Sequence, residues 1–239
     1  MSVYCSSDWH GCGWVWQKVK SILKPDDKLY FLGDAIDRGP NSFKIMKELY
    51  EDPRVVYLKG NHEDMMVAAT LKQSNHYNSP FEVWIYNGGI ETVNSVKSVD
   101  PYNTLRIWAK KINELTTQAV YINQMGDTIY MTHSGWLSSE PSTHTIYDRL
   151  WDRSHFYEEP EDDIIILHGH TPIPYLWSRL GSCGNPPEPG AFFYCKGKKI
   201  DVDCGTPYTG IATLLDLDTY EEIVLFKNNT KEWEDAFRF

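Results

Sequence analysis

The sequence predicts a single α/β domain. Three observations predict it. Short apolar runs alternate with amphipathic helical patterns near the start, a polar helical stretch fills roughly residues 62–117, and strand patterns return from residue 119 onward. Alternating β and α segments imply a parallel sheet with helices packed on its faces. A chain of 239 residues can bury a substantial core. With no repeat, low-complexity tract or long linker, 1–239 is expected to form one domain.

Val3 to Ser6 has the composition of a short buried strand, and a helix follows with Val15, Trp16, Val19, Ile22 and Leu23 on one face. Pro25-Asp26-Asp27 ends that helix, and Lys28 to Leu32 is the second strand. Asn41 or Ser42 can cap a second helix carrying Phe43, Met46, Leu49 and Tyr50, which Asp52-Pro53 stops. Val55 to Leu58 completes a βαβαβ start. Later strands are expected at Ala119–Ile122, Thr128–Thr132 and Ile164–Leu167. The last fifty residues have the pattern of a C-terminal β meander: Phe192–Cys195, a turn at 196–198, Ile200–Asp203, Ile211–Asp216 and Glu221–Phe226. Gly181–Gly190 is a loop, and the acidic stretch Tyr157–Asp163 is a solvated surface.

The formal net charge is −10. Affinity for nucleic acid comes mainly from neutralising phosphates with Lys and Arg, so nucleic acid is a poor candidate partner. The five cysteines are odd in number and form no C-x-x-C pair, which argues against a disulfide framework, although Cys183 and Cys195 could pair or hold a metal. The N-terminus enters a strand directly, without a basic or apolar leader, and no apolar window is long enough for a membrane span. A cytoplasmic protein with no membrane partner is expected.

Five short motifs carry the chemistry. Asp8-Trp9-His10-Gly11 follows the first strand, Gly33-Asp34-Ala35-Ile36-Asp37-Arg38-Gly39-Pro40 the second, and Gly60-Asn61-His62-Glu63 the third. Thr132-His133-Ser134-Gly135 and His168-Gly169-His170-Thr171-Pro172 follow two later strands. Each is a strand end with a glycine-bearing turn and a metal-type or acid–base side chain. Carboxyl ends of parallel strands face one crevice, where open α/β sheets bind ligands. The donors are N and O without thiolate, which suits Mn, Fe or Zn better than a structural Cys site. Any one motif alone would be incidental. Five in order, each behind an apolar strand, are not.

These motifs resemble those of the calcineurin-like metallophosphoesterases, and in particular the Ser/Thr-type protein phosphatase branch in its small bacterial and phage form. The resemblance runs from Asp8 to about Asp203-Cys204-Gly205-Thr206, with supporting marks at His10-Gly11-Cys12, Asn87-Gly88-Gly89 with Thr92, and Leu150-Trp151-Asp152-Arg153. It implies a β-sandwich of mixed sheets flanked by helices, and a two-metal phosphoesterase using a metal-bridged hydroxide. Asp8, His10 and Asp34 match the first metal site, with Asp34 bridging, and Asn61, His133 and His170 match the rest of the second. His62 matches the general acid, Asp37 the carboxylate that orients it, and Arg38 and Arg153 the phosphate-binding arginines. Lys59 stands where many relatives have an arginine and cannot bind phosphate bidentately. The cofactor implied is a pair of divalent ions, Mn²⁺ first, with Fe or Zn as alternatives.

General chemistry agrees with these roles. Two ions about 3.5–4 Å apart activate a shared water and clamp an in-line displacement, while arginine forks neutralise a phosphate dianion. A His beside a carboxylate is kept cationic, as a general acid requires. Of two His residues two apart, His170 directly follows the glycine, as the family's ligand does, which leaves His168 behind the site or packed. His76, His144 and His155 match no motif and are expected on the surface or in the core. Trp9, where relatives have a smaller aliphatic residue, belongs either to the core or to the pocket wall.

The resemblance implies hydrolysis of phosphoserine or phosphothreonine in a phosphorylated protein, with phosphotyrosine or a small phosphoester also acceptable. The main competitor is symmetrical dinucleoside tetraphosphate hydrolysis, and many such enzymes lack an aspartate at the place of Asp37. A polynucleotide end phosphatase is disfavoured by the absence of a basic stripe. A binding module that lost turnover is disfavoured by the intact motif residues.

Overall fold

The computed structural model describes residues 1–71, 79–135, 145–160, 164–181 and 187–227. Val3–Ser6 (β1) alternates as a layered strand must: Val3 and Cys5 enter one apolar cluster and Tyr4 packs on another. Lys28–Phe31 (β2) runs parallel to it in a register that sets Tyr4 beside Leu29 and Cys5 beside Tyr30, so like sides meet. Val55–Tyr57 (β3) extends the sheet in parallel. The other sheet starts with Gln118–Ile122 (β4), antiparallel to Thr128–Thr132 (β5), which is parallel to Ile164–His168 (β6). The hairpin Phe192–Tyr194 (β7) and Lys199–Asp201 (β8) joins β6 through β8. A second hairpin, Ile211–Asp216 (β9) and Glu222–Phe226 (β10), joins the first sheet antiparallel to β1.

The orders are therefore β10-β9-β1-β2-β3 and β4-β5-β6-β8-β7. Both sheets are mixed, as the resemblance implied, and the C-terminal strands divide between them as two hairpins. Val3, Cys5, Leu32, Met131, Leu167 and Ile200 fill the space between the sheets.

The helices are Gly13–Ile22 (α1), Ser42–Glu51 (α2), Asn61–Leu71 (α3), Pro80–Trp84 (α4), Ile90–Ser95 (α5), Pro101–Asn113 (α6), Ile146–Leu150 (α7), Ile173–Arg179 (α8) and Thr206–Thr209 (α9). The segment Ile85–Gly89, kinked at Gly88, joins α4 to α5. The apolar faces of α1, α2, α3 and α6 cover the outer side of the first sheet. In α2 the buried face is Ile45, Met46 and Leu49, whereas Tyr50 is exposed and meets the edge of Trp108. The expected cap of α2 is absent: Ser42 Oγ donates to Gly39 O at 2.7 Å, and neither Asn41 nor Ser42 accepts from the first turn.

Trp9 is fully buried, donates its indole N–H to Ser6 Oγ at 2.8 Å and packs on Trp16 and Phe31, which makes it core. Cys5, Cys12, Cys195 and Cys204 are free thiols; Cys183, like His76 and His144, lies outside the described residues. Among the described residues no helix is long and apolar enough to cross a membrane.

Candidate metal centre

The motif residues converge at the carboxyl ends of the parallel strands of both sheets. Asp34, just past β2, stands at the centre. Its Oδ2 lies 3.6 Å from His10 Nε2 and 3.8 Å from His62 Nε2, while its Oδ1 lies 3.4 Å from His133 Nε2. Two groups that could hold an ion therefore share Asp34: His10, Asp34 and His62, and Asp8, Asp34 and His133. Asn61 Oδ1 joins the second at 2.8 Å from His133 Nε2 and 3.0 Å from His170 Nδ1. Asp8 ties β1 to the His170 turn, accepting the His170 N–H at 3.0 Å and the Ser7 hydroxyl.

Backbone carbonyls fix two of the imidazoles. His10 Nδ1 donates to Ile36 O at 2.9 Å and His133 Nδ1 to Leu32 O at 2.8 Å. With each Nδ1 given to a carbonyl, each Nε2 turns into the cluster: that of His10 takes an Arg38 guanidinium N–H at 2.7 Å, and that of His133 faces Asn61 Oδ1 at 2.8 Å. Lone pairs facing lone pairs in a buried place need a proton or a metal ion between them. His170 Nε2 is also buried without a hydrogen-bond partner. This donor set of carboxylate, amide oxygen and imidazole fits divalent Mn, Fe or Zn.

The backbone is strained where these side chains leave it. Among the described residues nine non-glycine positions have positive φ, and six of them are Asp8, His10, Asp34, Asp37, Arg38 and His170. Such conformations cost on the order of 1–3 kcal/mol each and persist where the surroundings over-determine them. Close approach explains two glycines in the motifs. A Cβ at Gly60 would lie 2.2 Å from Asp34 Oδ1, and one at Gly169 would lie 2.3 Å from Asp8 Oδ2.

The charges interlock. Burial works against the Asp34 carboxylate, but His133, His62 and His10 hold it well below the usual carboxyl range. Burial, aided by the Asp34 charge, pushes Asp8 up. Burial also opposes the His133 imidazolium, yet Asp34, Asp8 and Glu63 raise it to about 9. His10 is pushed well down by burial, Arg38 and His62, and His170 by burial, His133 and Arg153.

His62 differs from His10 and His133 in its partner, a carboxylate rather than a carbonyl: its Nδ1 stands 2.6 Å from Asp37 Oδ2. Burial opposes its charge, but Asp34 and Asp37 together raise its pKa. Arg38 faces the same place, with one guanidinium nitrogen 2.7 Å from His10 Nε2 and another 3.1 Å from His62 Nε2. Arg153 is exposed and donates from Nε to Thr171 Oγ1 at 3.0 Å, beside His170. Lys59 is buried, and its Nζ lies 3.6 Å from Asp64 Oδ1.

A family profile for calcineurin-like phosphoesterases matches residues 1–202. The chain belongs to that family. Its members are phosphoesterases, and the family implies a binuclear divalent metal centre. The chain is similar to the symmetrical bis(5'-nucleosyl)-tetraphosphatase of Buchnera aphidicola subsp. Schizaphis graminum, 36% identical over 28% of this chain and 26% of that protein's length. It spans only about that quarter of the relative. The similarity to the asymmetrical bis(5'-nucleosyl)-tetraphosphatase of Geobacillus thermodenitrificans is broader, 23% identity over 90% of each chain. Among solved structures, a cold-active protein-tyrosine phosphatase of Shewanella sp. superposes with a TM-score of 0.54 at 18% identity, covering 93% of this chain and 77% of that one. That likeness concerns the fold.

Residues without an assigned role also shape the site. Glu63 is fully buried and accepts from the backbone N–H of Asp34, Ala35 and Gly60 and from the Tyr57 hydroxyl. The spacing Gly60-x-x-Glu63 was a visible signal, since Glu at the third helical position bonds back to the N-cap amide. Trp84 gave no signal, and its indole N–H reaches Asp37. His168 is turned away from the cluster: Nε2 meets the Tyr194 hydroxyl at 2.6 Å, Nδ1 faces Gly169 O at 3.0 Å, and the ring stacks on Phe156. His155 is core, with Nε2 donating to Ser134 O at 2.7 Å.

Proposed function

We propose that Asp8, His10, Asp34, Asn61, His133 and His170 would hold two divalent ions, Mn²⁺ by preference, with Asp34 common to the two candidate groups. Bound there, the ions supply Lewis acidity to the attacking water and to the phosphoryl oxygens. Arg38 and Arg153 bind the phosphoryl group, Arg38 by swinging from His10 onto the phosphate oxygens, and Lys59 lends positive charge behind the Asn61 turn. His62 gives the proton on Nε2 to the leaving oxygen while Asp37 holds Nδ1.

The substrate we favour is a phosphomonoester of serine or threonine in a protein. One observation carries this preference: the 2.6 Å contact between His62 Nδ1 and Asp37 Oδ2. A serine or threonine alkoxide is a poor leaving group that must be protonated as it departs, and a carboxylate-supported imidazolium answers that need. A nucleotide leaving from a phosphoanhydride departs as a stable anion and needs an acid less. Dinucleoside tetraphosphate hydrolysis is the second reading, supported by the name of the relative matched over 90% of both chains.

The test is steady-state hydrolysis of phosphoserine and phosphotyrosine peptides, a dinucleoside tetraphosphate and an aryl phosphate by Mn²⁺-reconstituted protein. A kcat/KM for phosphoserine peptides above that for the tetraphosphate supports the first reading; the opposite order replaces it with the second.

A further inference from the structure

Asp37 is gripped by a segment far from it in sequence. Trp84 Nε1 donates to Asp37 Oδ1 at 3.1 Å and to Oδ2 at 3.0 Å. The Thr92 hydroxyl donates to Oδ1 at 2.5 Å and accepts the Asp37 N–H at 3.0 Å. Oδ2 also meets His62 Nδ1. Asp37, Trp84 and Thr92 are all fully buried, so no solvent competes for these bonds.

The same segment also bears on Arg38. Between Trp84 and Thr92 the helix breaks at Gly88, which has φ 100. The Gly88 carbonyl accepts the Arg38 N–H at 3.2 Å, and a Cβ at Gly88 would stand 2.9 Å from Arg38 Cγ. The kinked segment thus spaces two donors onto Asp37 and one acceptor onto Arg38.

We infer that Trp84 and Thr92 are positioning residues of this phosphoesterase: they fix the Asp37 carboxylate so that His62 Nε2 is aimed at the leaving oxygen. A carboxylate can rotate and can turn either oxygen to a partner. Two donors on Oδ1 and a shared one on Oδ2 remove that freedom. The His62 ring, hinged on Oδ2, then inherits a fixed direction. A misplacement of about 1 Å costs catalysis on the order of 10²-fold. This inference rests on the reading of His62 as the general acid.

The test uses Trp84→Phe, which keeps a buried aromatic ring but removes the indole N–H together with the five-membered ring. Thr92→Val removes the hydroxyl, and Thr92→Ser keeps it. Each full-length Mn²⁺-loaded protein is assayed on an alkyl phosphate and on a 4-nitrophenyl phosphate, with metal content and melting temperature recorded. Trp84→Phe and Thr92→Val should lower kcat on the alkyl phosphate about tenfold more than on the nitrophenyl ester, with KM little moved. Thr92→Ser should recover most of that loss. In a His62→Asn background, Trp84→Phe should add no further leaving-group-dependent loss, because coupled residues are non-additive. Equal losses on both esters for Trp84→Phe and Thr92→Val, alongside a leaving-group-dependent loss for His62→Asn, overturn the positioning role alone. Equal losses on both esters in His62→Asn with metals retained overturn the acid reading, and the role given to Trp84 and Thr92 with it.

Discussion

Glu63 Oε2 accepts the backbone N–H of Asp34 at 2.8 Å and that of Gly60 at 2.9 Å. The central carboxylate of the cluster is thus anchored by a second carboxylate that touches no candidate ligand side chain. Glu63→Gln replaces one acceptor oxygen by an amide that meets N–H donors head-on. Unsatisfied buried donors cost about 1–3 kcal/mol, and loss of an outer partner costs about 10–100-fold in metal affinity. Calorimetric Mn²⁺ titration and thermal melts of Glu63→Gln should show weaker binding and a lower Tm. Unchanged Mn²⁺ affinity would count against Glu63 as the anchor of Asp34.

The two histidines of the His168-Gly169-His170 turn should separate on metal content. His170 Nδ1 faces Asn61 Oδ1 at 3.0 Å, whereas His168 bonds Tyr194 and packs on Phe156. His170→Ala should lose bound metal by elemental analysis, and His168→Ala should keep most of it while melting lower. A chelator should abolish activity of the unmodified protein, and Mn²⁺ should restore it. Retained metal in His170→Ala would move that ligand elsewhere.

Much of this arrangement was legible in the sequence because each strand end announces itself. Asp8, Asp34, Asn61 and His133 follow short apolar runs, and the turn places the side chain. The division of the C-terminal strands between two sheets was not legible, since a hairpin pattern does not say which edge it joins. The grip of Trp84 on Asp37 was equally hidden. The two residues are 47 positions apart, and a tryptophan in a helical pattern reads as core until its N–H is found on a carboxylate. Lys199 is another case. A lysine in an apolar strand suggests an edge, yet it is buried in β8 with Nζ donating to His155 O.

That buried corner predicts an acid sensitivity. Burial, with Lys199 second, pushes His155 down to about 4, and burial, with His155 second, pushes His168 to about 3. In the unfolded chain both protonate near their ordinary value of about 6.5. Between these values the unfolded chain binds more protons, so stability rises with pH across the window and is lost as pH falls from about 6.5 toward 4. Urea unfolding of His155→Gln should show a flatter dependence between about pH 4.5 and 7 than the unmodified protein. An unchanged slope would mean that His155 remains solvated and titrates normally.

Gly60 tests whether the centre can be disturbed without touching a donor atom. A Cβ there would meet Asp34 Oδ1 at 2.2 Å and Asp34 N at 2.5 Å, both on a residue with φ 59 already held by Glu63. Neither atom can retreat easily, because Oδ1 also accepts the His62 N–H at 3.0 Å. Gly60→Ala should therefore displace the Asp34 carboxylate, weaken Mn²⁺ binding and lower kcat on good and poor leaving groups alike. Gly126 is the matched control: its φ is 92, but a Cβ there meets nothing within 4 Å. Gly126→Ala should cost about 1–2 kcal/mol for the left-handed backbone and leave Mn²⁺ affinity unaltered. Paired Mn²⁺ titrations and melts read both effects. Equal Mn²⁺ affinities for the two variants would show that Asp34 has room to move.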